Sequence, residues 1–440
     1  MSRPNQQNSK LSFEPYWWKS LKKTSAKKHQ IPEDLDVLVI GAGYTGLAAA
    51  MTAHDLGARA AVCDTKVPGK GASTRNGGMF GAHPRLTWQA LSRKYGIDVA
   101  DEIFNEASEA QNFVERLINK EKINCDLERS GRIQLAWTQS HFESQKHLAS
   151  FIASKTNIEV SIISRPQLYK EIKTNRYFGG LLFKNHCGID PAKLHSGLVN
   201  SLNLRGVPIF ENTPILSVRR ENGGFRVRSK WQSLFVKKVI MATNGYTKDN
   251  FHWFQRRVFP LPSFLIATEN IPGDLIKELC PGRRMMVETR AQYNYFRVSP
   301  DGKKIIFGGR AAMKPIDLCT AANRLKLSLN DIWPELQRYC VTHVWSGNTG
   351  YSFNQLPHVG QTEGIFYAMG FSGSGTVLAP YLGAKAAYLA LDDPRACTPY
   401  QKTRLRTSLL HFTSKPYFLS VADFWYKNVV DRWESPNKRK

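Results

Sequence analysis

Gly41, Gly43 and Gly46, with an acid at Asp64, are the residues of this chain whose types and spacing bear most directly on chemistry. Gly41 permits a sharp turn, Gly43 lets the backbone approach a pyrophosphate, and Gly46 lets a helix pack closely on a strand. Tyr44 and Thr45 fall between them, at the start of a helix whose N–H groups and dipole favour a phosphate. Asp64 stands where a carboxylate accepts hydrogen bonds from ribose hydroxyls. The chemistry implied is the holding of a dinucleotide, although a glycine pattern alone is weak support. A strand, a tight turn, a helix and a second strand must position these residues. Val37, Leu38, Val39 and Ile40 have buried-strand character, and residues 47–56 are apolar, Ala-rich and of helical length. Gly57 supplies a left-handed stop, and Ala60, Ala61, Val62 and Cys63 read as a second buried strand ending at Asp64. All parts fall in register, so the spacing predicts a Rossmann-like unit.

The chain has 440 residues, enough for two domains or one large two-lobed enzyme. With 42% hydrophobic and 11% aromatic residues, it does not have the composition of a disordered protein. No apolar run reaches the length of a membrane span, and residues 1–30 hold no secretory core, so no transmembrane segment and a cytoplasmic location are expected. The seven cysteines are scattered and form no CxxC pair, and His186-Cys187 lacks a partner pair. Neither a disulfide framework nor a metal site is expected. With 61 basic against 36 acidic residues, the formal net charge is +25. That charge suits an anionic substrate, nucleic acid or an acidic surface, but its spread along the chain favours a solvated basic surface. Local concentrations occur at Lys19, Lys22, Lys23, Lys27 and Lys28 and at Lys438-Arg439-Lys440. Between the start and the first strand, Phe13-Glu14-Pro15-Tyr16-Trp17-Trp18 is too aromatic to remain in water and is expected to dock on the body.

A second glycine-rich loop runs from Gly69 to Gly78. Its small residues, with Ser73, Arg75 and Asn76, suit a backbone pressed against a flat ring and a pyrophosphate. Together, GAGYTGLAAA and GASTRNGG resemble the D-amino-acid-oxidase superfamily of flavoproteins, within it the gamma-glutamylputrescine oxidoreductase-like branch. The resemblance implies an α/β fold, with a Rossmann-like FAD-binding domain and an interleaved α+β substrate domain on a mostly antiparallel sheet. Residues 34–92, 186–250 and 343–396 are expected in the FAD-binding domain and residues 93–185 and 251–342 in the substrate domain. Residues 1–30 form an N-terminal arm and residues 397–440 a helical tail.

By the same resemblance, Gly41, Gly43, Tyr44, Thr45 and Gly46 bind the ADP half of FAD. Ser73, Thr74, Arg75, Asn76, Gly77 and Gly78 run beside the isoalloxazine. Asp64 replaces the usual Glu, one methylene shorter but still able to reach a ribose. Ile215 matches the adenine contact, and Ala242 and Thr243 the diphosphate side. Gly370, Ser372, Gly373, Ser374, Gly375 and Thr376 open a helix whose N-terminus points at the N1 and C2 carbonyl edge of the flavin, where it favours negative charge. Ser374 stands where the family often has His, which removes an acid or base role from that position.

Elsewhere, residues 99–118 carry apolar positions at helical spacing, and Gly131–Trp137 and Gly179–Phe183 read as strands. Residues 256–340 read mainly as extended. Tyr293–Arg310 is a hairpin around Pro300-Asp301-Gly302, and it resembles the family's YFRxxPDGRxxFGGR. Tyr295 and Arg297 are candidates to face the flavin, with decoration of the sheet as an equal alternative. Trp345 lies in a stretch that matches the family's return to the flavin, with core packing as its alternative. A terminal helix is expected around Tyr417, Phe418, Phe424, Trp425 and Tyr426.

The chemistry the resemblance implies is oxidation of a primary or secondary amine, of amino-acid or gamma-glutamyl-diamine type. Hydride passes to flavin N5, and water hydrolyses the resulting imine to an aldehyde or keto acid. Oxygen, giving hydrogen peroxide, or an electron carrier accepts the electrons. Some relatives attach the flavin through a Cys near residues 345–357 or a His in the Arg75-Asn76 loop; neither is present, so noncovalent FAD is expected. An RNA-modifying flavoenzyme would suit the charge, yet no RNA-binding module or RNP motif occurs and no DNA partner is expected. A non-catalytic basic binding protein with a degenerate nucleotide fold is the other alternative, against which both glycine loops stand.

Overall fold

The computed structural model describes residues 11–21, 30–81, 83–248, 250–411 and 416–425. Lys22, Lys23, Lys27, Lys28, Tyr426 and Lys438-Arg439-Lys440 lie outside the described residues. The fold is α/β, with a Rossmann-like unit joined to an α+β unit on a mostly antiparallel sheet.

The first sheet is organised by Leu35–Ile40, whose Val37, Leu38 and Val39 are fully buried. Burial on both faces explains why this strand reads as a continuous apolar run rather than an alternating one. It pairs in parallel with Ala60–Cys63 on one side and Ser233–Met241 on the other, setting Val39 opposite Val62 and Ile240. Ser233–Met241 pairs in turn with Ile365–Met369, again in parallel. The helix Tyr44–Asp55 follows the first strand directly. A Cβ on Gly46 would lie 1.8 Å from the Gly41 carbonyl oxygen, and one on Gly383 would lie 2.2 Å from the Thr45 carbonyl oxygen. These glycines therefore let the helix seat on its own turn and let the helix Gly375–Ala390 cross it closely.

The second sheet runs in the order Val341–Ser352, Val258–Thr268, Ile305–Gly309, Asn294–Val298, Met285–Glu288, Arg132–Leu135, Gly179–Phe183, Val160–Ser164. Its pairs are antiparallel except Met285–Glu288 with Arg132–Leu135. Asn294–Val298 and Ile305–Gly309 form the expected hairpin. Three placements differ from the sequence reading. Val341–Ser352 is a strand of this sheet, so a boundary at 343 cuts through an element. The helix Ile97–Lys120 buries Ile103, Ala107 and Val114 in the same core as Val37, Leu47 and Leu382, on the nucleotide side. Within residues 256–340 lies the helix Leu318–Ile332, capped by Asp317 and burying Ala321, Leu325, Leu329 and Ile332.

The aromatic stretch of residues 13–18 docks on the body: Tyr16–Ser20 forms a short 3-10 helix with Trp17 fully buried. At the other end, Phe418–Trp425 is helical and packs Leu419 into the cluster of Phe259 and Tyr351. Among the described residues, no helix is long and apolar enough to cross a membrane.

Candidate active site

Two cavities share the walls Ala72, Asn76, Thr349, Gly373 and Thr376 and so form one groove. The smaller, of about 240 Å³, is lined by Gly41, Gly43, Tyr44, Thr45 and Asp64 from the first strand–turn–helix–strand unit. Ser73, Ile215, Ala242, Thr243 and Gly375 complete it among the residues expected there. The Asp64 carboxylate accepts hydrogen bonds from the Ala42 and Lys66 N–H groups, both at 2.8 Å, which fixes its direction. Burial nevertheless raises its pKa above the ordinary carboxyl value. Ser73 Oγ accepts from the Tyr44 N–H at 3.0 Å, tying the second loop to the start of the first helix. Asn76 knots that loop, donating to the Ser73 carbonyl at 2.9 Å and accepting from the Gly78 N–H at 2.9 Å.

Four residues expected at the cofactor lie behind the wall rather than in it. Thr74 is fully buried, donates to the Gly69 carbonyl and accepts from Trp18 Nε1. A Cβ on Gly78 would fall 2.3 Å from the Ile189 carbonyl oxygen. The Gly370 N–H donates to Asn244 Oδ1 at 2.9 Å. Gly46, as described, is a packing glycine.

The larger cavity, of about 490 Å³, lies against the second sheet and is lined by Arg75, Gly77, Tyr295, Ser372 and Ser374 among the expected residues. The Tyr295 ring is held between two glycines. A Cβ on Gly308 would lie 2.4 Å from it, and one on Gly77 2.8 Å. Its hydroxyl meets Ser263 Oγ at 2.9 Å, and burial pushes its phenol pKa up.

Arg297 and Trp345 are not in the cavity wall, which corrects their expected position. Arg297 lies two residues beyond Tyr295 on the same strand face, but there the second glycine loop covers it. Its guanidinium donates to the Gly78 and Ile189 carbonyls at 2.7 and 3.0 Å, a bracket between loops. Desolvation lowers its pKa to about 10. Trp345 is fully buried beside Trp17, Ala192 and Leu265, and its Nε1 donates to the Arg75 carbonyl at 3.0 Å.

The cavity brings Tyr293 and Arg310, the two ends of the hairpin, together with residues that no motif announced: Arg85, Tyr351, His83 and Arg132. Arg310 donates to Tyr351 Oη at 2.7 Å, and Arg85 donates to Gln355 Oε1 at 2.9 Å. Burial opposes ionisation of Tyr293, but the Arg310 and Arg85 guanidiniums outweigh it and bring its phenol down to about 7. Glu288 also lines the cavity, but its charge is taken by Arg290 at 2.5 Å. Among the described residues, neither Arg85, Arg132 nor Arg310 has a carboxylate within salt-bridge distance. The site is therefore strongly cationic. Arg310 could have been noted from its place after the Gly308-Gly309 pair; Arg85 and Arg132 carry no local signal.

The groove fits FAD. It has an oriented carboxylate in the smaller cavity and the N-termini of two long helices, Tyr44–Asp55 and Gly375–Ala390, in its wall. At the junction, a Cβ on Gly373 would meet nothing nearer than Tyr351 Oη at 3.8 Å, so glycine there leaves the passage open. Comparisons agree with this geometry. A family model described as FAD-dependent oxidoreductase (DAO) matches residues 36–389. The chain is 27% identical to the probable oxidoreductase OrdL of Rhizobium meliloti (strain 1021), over 81% of this chain and 83% of that protein. It is 25% identical to the gamma-glutamylputrescine oxidoreductase of Escherichia coli (strain K12), over 81% and 84%. The crystal structure of glycine oxidase from Geobacillus kaustophilus superposes with a TM-score of 0.71 at 17% identity, covering 85% of this chain and 99% of that one.

Proposed function

This chain belongs to the DAO family of FAD-dependent oxidoreductases, and from that premise we propose that it oxidises an amine bearing a carboxylate. The observation that carries the reading is the pair Arg85 and Arg310, flanking Tyr293 and Tyr351 where the two cavities join. Two guanidiniums without carboxylate partners bind a planar anion strongly and direct it. Similarity to a gamma-glutamylputrescine oxidoreductase and a glycine oxidase supports an amine as the group oxidised. The chemistry FAD supplies when bound noncovalently is acceptance of a hydride from the carbon that carries nitrogen.

The chain's own contribution is positioning and proton handling. Arg85 and Arg310 hold the substrate carboxylate, and the Tyr295 ring, locked by Gly77 and Gly308, limits where the rest of the molecule lies. The Arg310 and Arg85 guanidiniums that face Tyr293 Oη favour its ionised form against the cost of burial. When the substrate carboxylate takes over those guanidiniums, the phenolate regains basicity and accepts a proton from the substrate ammonium. The amine is thereby neutral when its C–H bond is broken, and the imine product is hydrolysed by water to an aldehyde or keto acid.

The test is the visible spectrum of the purified holoenzyme, followed anaerobically as amines are added. Bleaching of the flavin bands by a carboxylate-bearing amine, and not by its amide, is the expected outcome. Readmitted air then separates oxidase from dehydrogenase. Flavin bands that no amine bleaches would overturn the reading.

A further inference from the structure

Arg132 opens the strand Arg132–Leu135 and is fully inside the protein, with 8% of its surface exposed, yet it lines the larger cavity. It is flanked by an aromatic ring and a neutral base. The guanidinium sits 4.7 Å from the centre of the Phe183 ring, and its Nη2 is 3.1 Å from His83 Nε2. An arginine only donates, so His83 Nε2 is the acceptor and the proton of the neutral ring is on Nδ1. Both that Nδ1–H and the Arg132 Nε–H lack a hydrogen-bond partner among the described residues. Buried donors are ordinarily satisfied, and buried cations are ordinarily paired. The Glu288 carboxylate in the same cavity does not serve, because Arg290, Tyr177 and Asn294 occupy it.

We propose that the Arg132–His83 corner is a second anion subsite, and that the substrate is a small amine carrying two acid groups. One acid group is held by Arg85 and Arg310, and the other by Arg132 with His83. The corners lie close together: His83 feels the charge of Arg85, and Arg132 feels that of Tyr293. Both line one cavity of about 490 Å³, so a short diacid spans them. Neutral His83 suits this role, since it accepts from Arg132 and offers its own N–H without adding a repelling charge.

The proposal deepens the amine-oxidising reading and rests on it, but it is tested by binding rather than turnover. Calorimetric titration of the holoenzyme compares succinate, glutarate and adipate, each with the monocarboxylate of the same chain length. At least one diacid is expected to bind about tenfold or more tightly than its monoacid, as one further charge-assisted contact requires. Arg132→Gln should abolish that preference, lowering diacid affinity far more than monoacid affinity, whereas Arg132→Lys should retain part of it. Equal affinities for diacid and monoacid at every length in the wild-type protein overturn the proposal, whether or not the variants fold. So does an Arg132→Gln variant that weakens both classes equally. A diacid preference in an enzyme that no amine bleaches would leave the subsite standing and sink the amine reading alone.

Discussion

At the scale of single residues, the cavity is governed by a phenol among guanidiniums. Tyr293 is faced by Arg85, Arg310 and Tyr351 and lies within the field of Arg132, and its pKa comes down to about 7. A bound carboxylate adds negative charge beside it and favours the protonated form, so binding takes up a proton. Monocarboxylate affinity should therefore fall as pH rises through about 7, by up to about tenfold per pH unit. Calorimetry across that range should show the fall in the wild-type protein and a flat profile in Tyr293→Phe. Gly308 offers a second prediction. A methyl group there would lie 2.4 Å from the Tyr295 ring. Gly308→Ala should cost about 1–3 kcal/mol in denaturant unfolding through overpacking and should weaken ligand binding by tilting the ring. Arg297 and Trp345 show why side-chain roles were harder to read than side-chain identities. Tyr295 and Arg297 share a strand face by simple alternation, and only the loop through Gly77 and Gly78 decides that one meets the cavity and the other a pair of carbonyls.

At the scale of elements, the N-terminal arm is a brace for the second glycine loop. Trp17 Nε1 donates to the Asn76 carbonyl and Trp18 Nε1 to Thr74 Oγ1, both at 2.8 Å, while Lys70 and Arg75 lie over the Trp18 ring. Trp18→Phe keeps most of the apolar contact and removes one donor, so it should lower stability by only about 0.5–1.5 kcal/mol. Because the loop it releases carries Ser73 and Asn76, FAD retention during dialysis should drop more than the unfolding midpoint suggests. The strand–turn–helix around Gly41 was legible because its requirements are local: a positive φ at Gly41 and a close approach at Gly46. The same holds for the Pro300-Asp301-Gly302 hairpin, where the turn residues specify the pairing. The full cavity wall was not legible, because Arg85, Arg132 and Tyr351 come from separate segments and join the hairpin ends Tyr293 and Arg310 only through the tertiary fold. The helix Leu318–Ile332 carries Ala321, Leu325, Leu329 and Ile332 at helical spacing, but it stands between β-rich runs, so local composition argues against the signal of its periodicity.

For the whole molecule, the formal charge of +25 and the cationic cavity act in the same direction. An anionic substrate is drawn in by both, and long-range attraction fades beyond a screening length of about 8–10 Å at physiological salt. If substrate capture limits the rate, kcat/KM should fall with ionic strength for an amine bearing two carboxylates, whose net charge is negative, and should not fall for its diester, which carries only the positive ammonium, as steady-state kinetics would show. The first sheet carries a consequence of another kind. Its neighbouring strands are Leu35–Ile40, Ser233–Met241 and Ile365–Met369, joined in parallel although they are far apart in the chain. A ribosome delivers these strands at widely separated times, and the helix Gly375–Ala390 that closes against Tyr44–Asp55 comes last of all. The nascent chain must therefore wait until nearly all of the protein has emerged before it can acquire its cofactor.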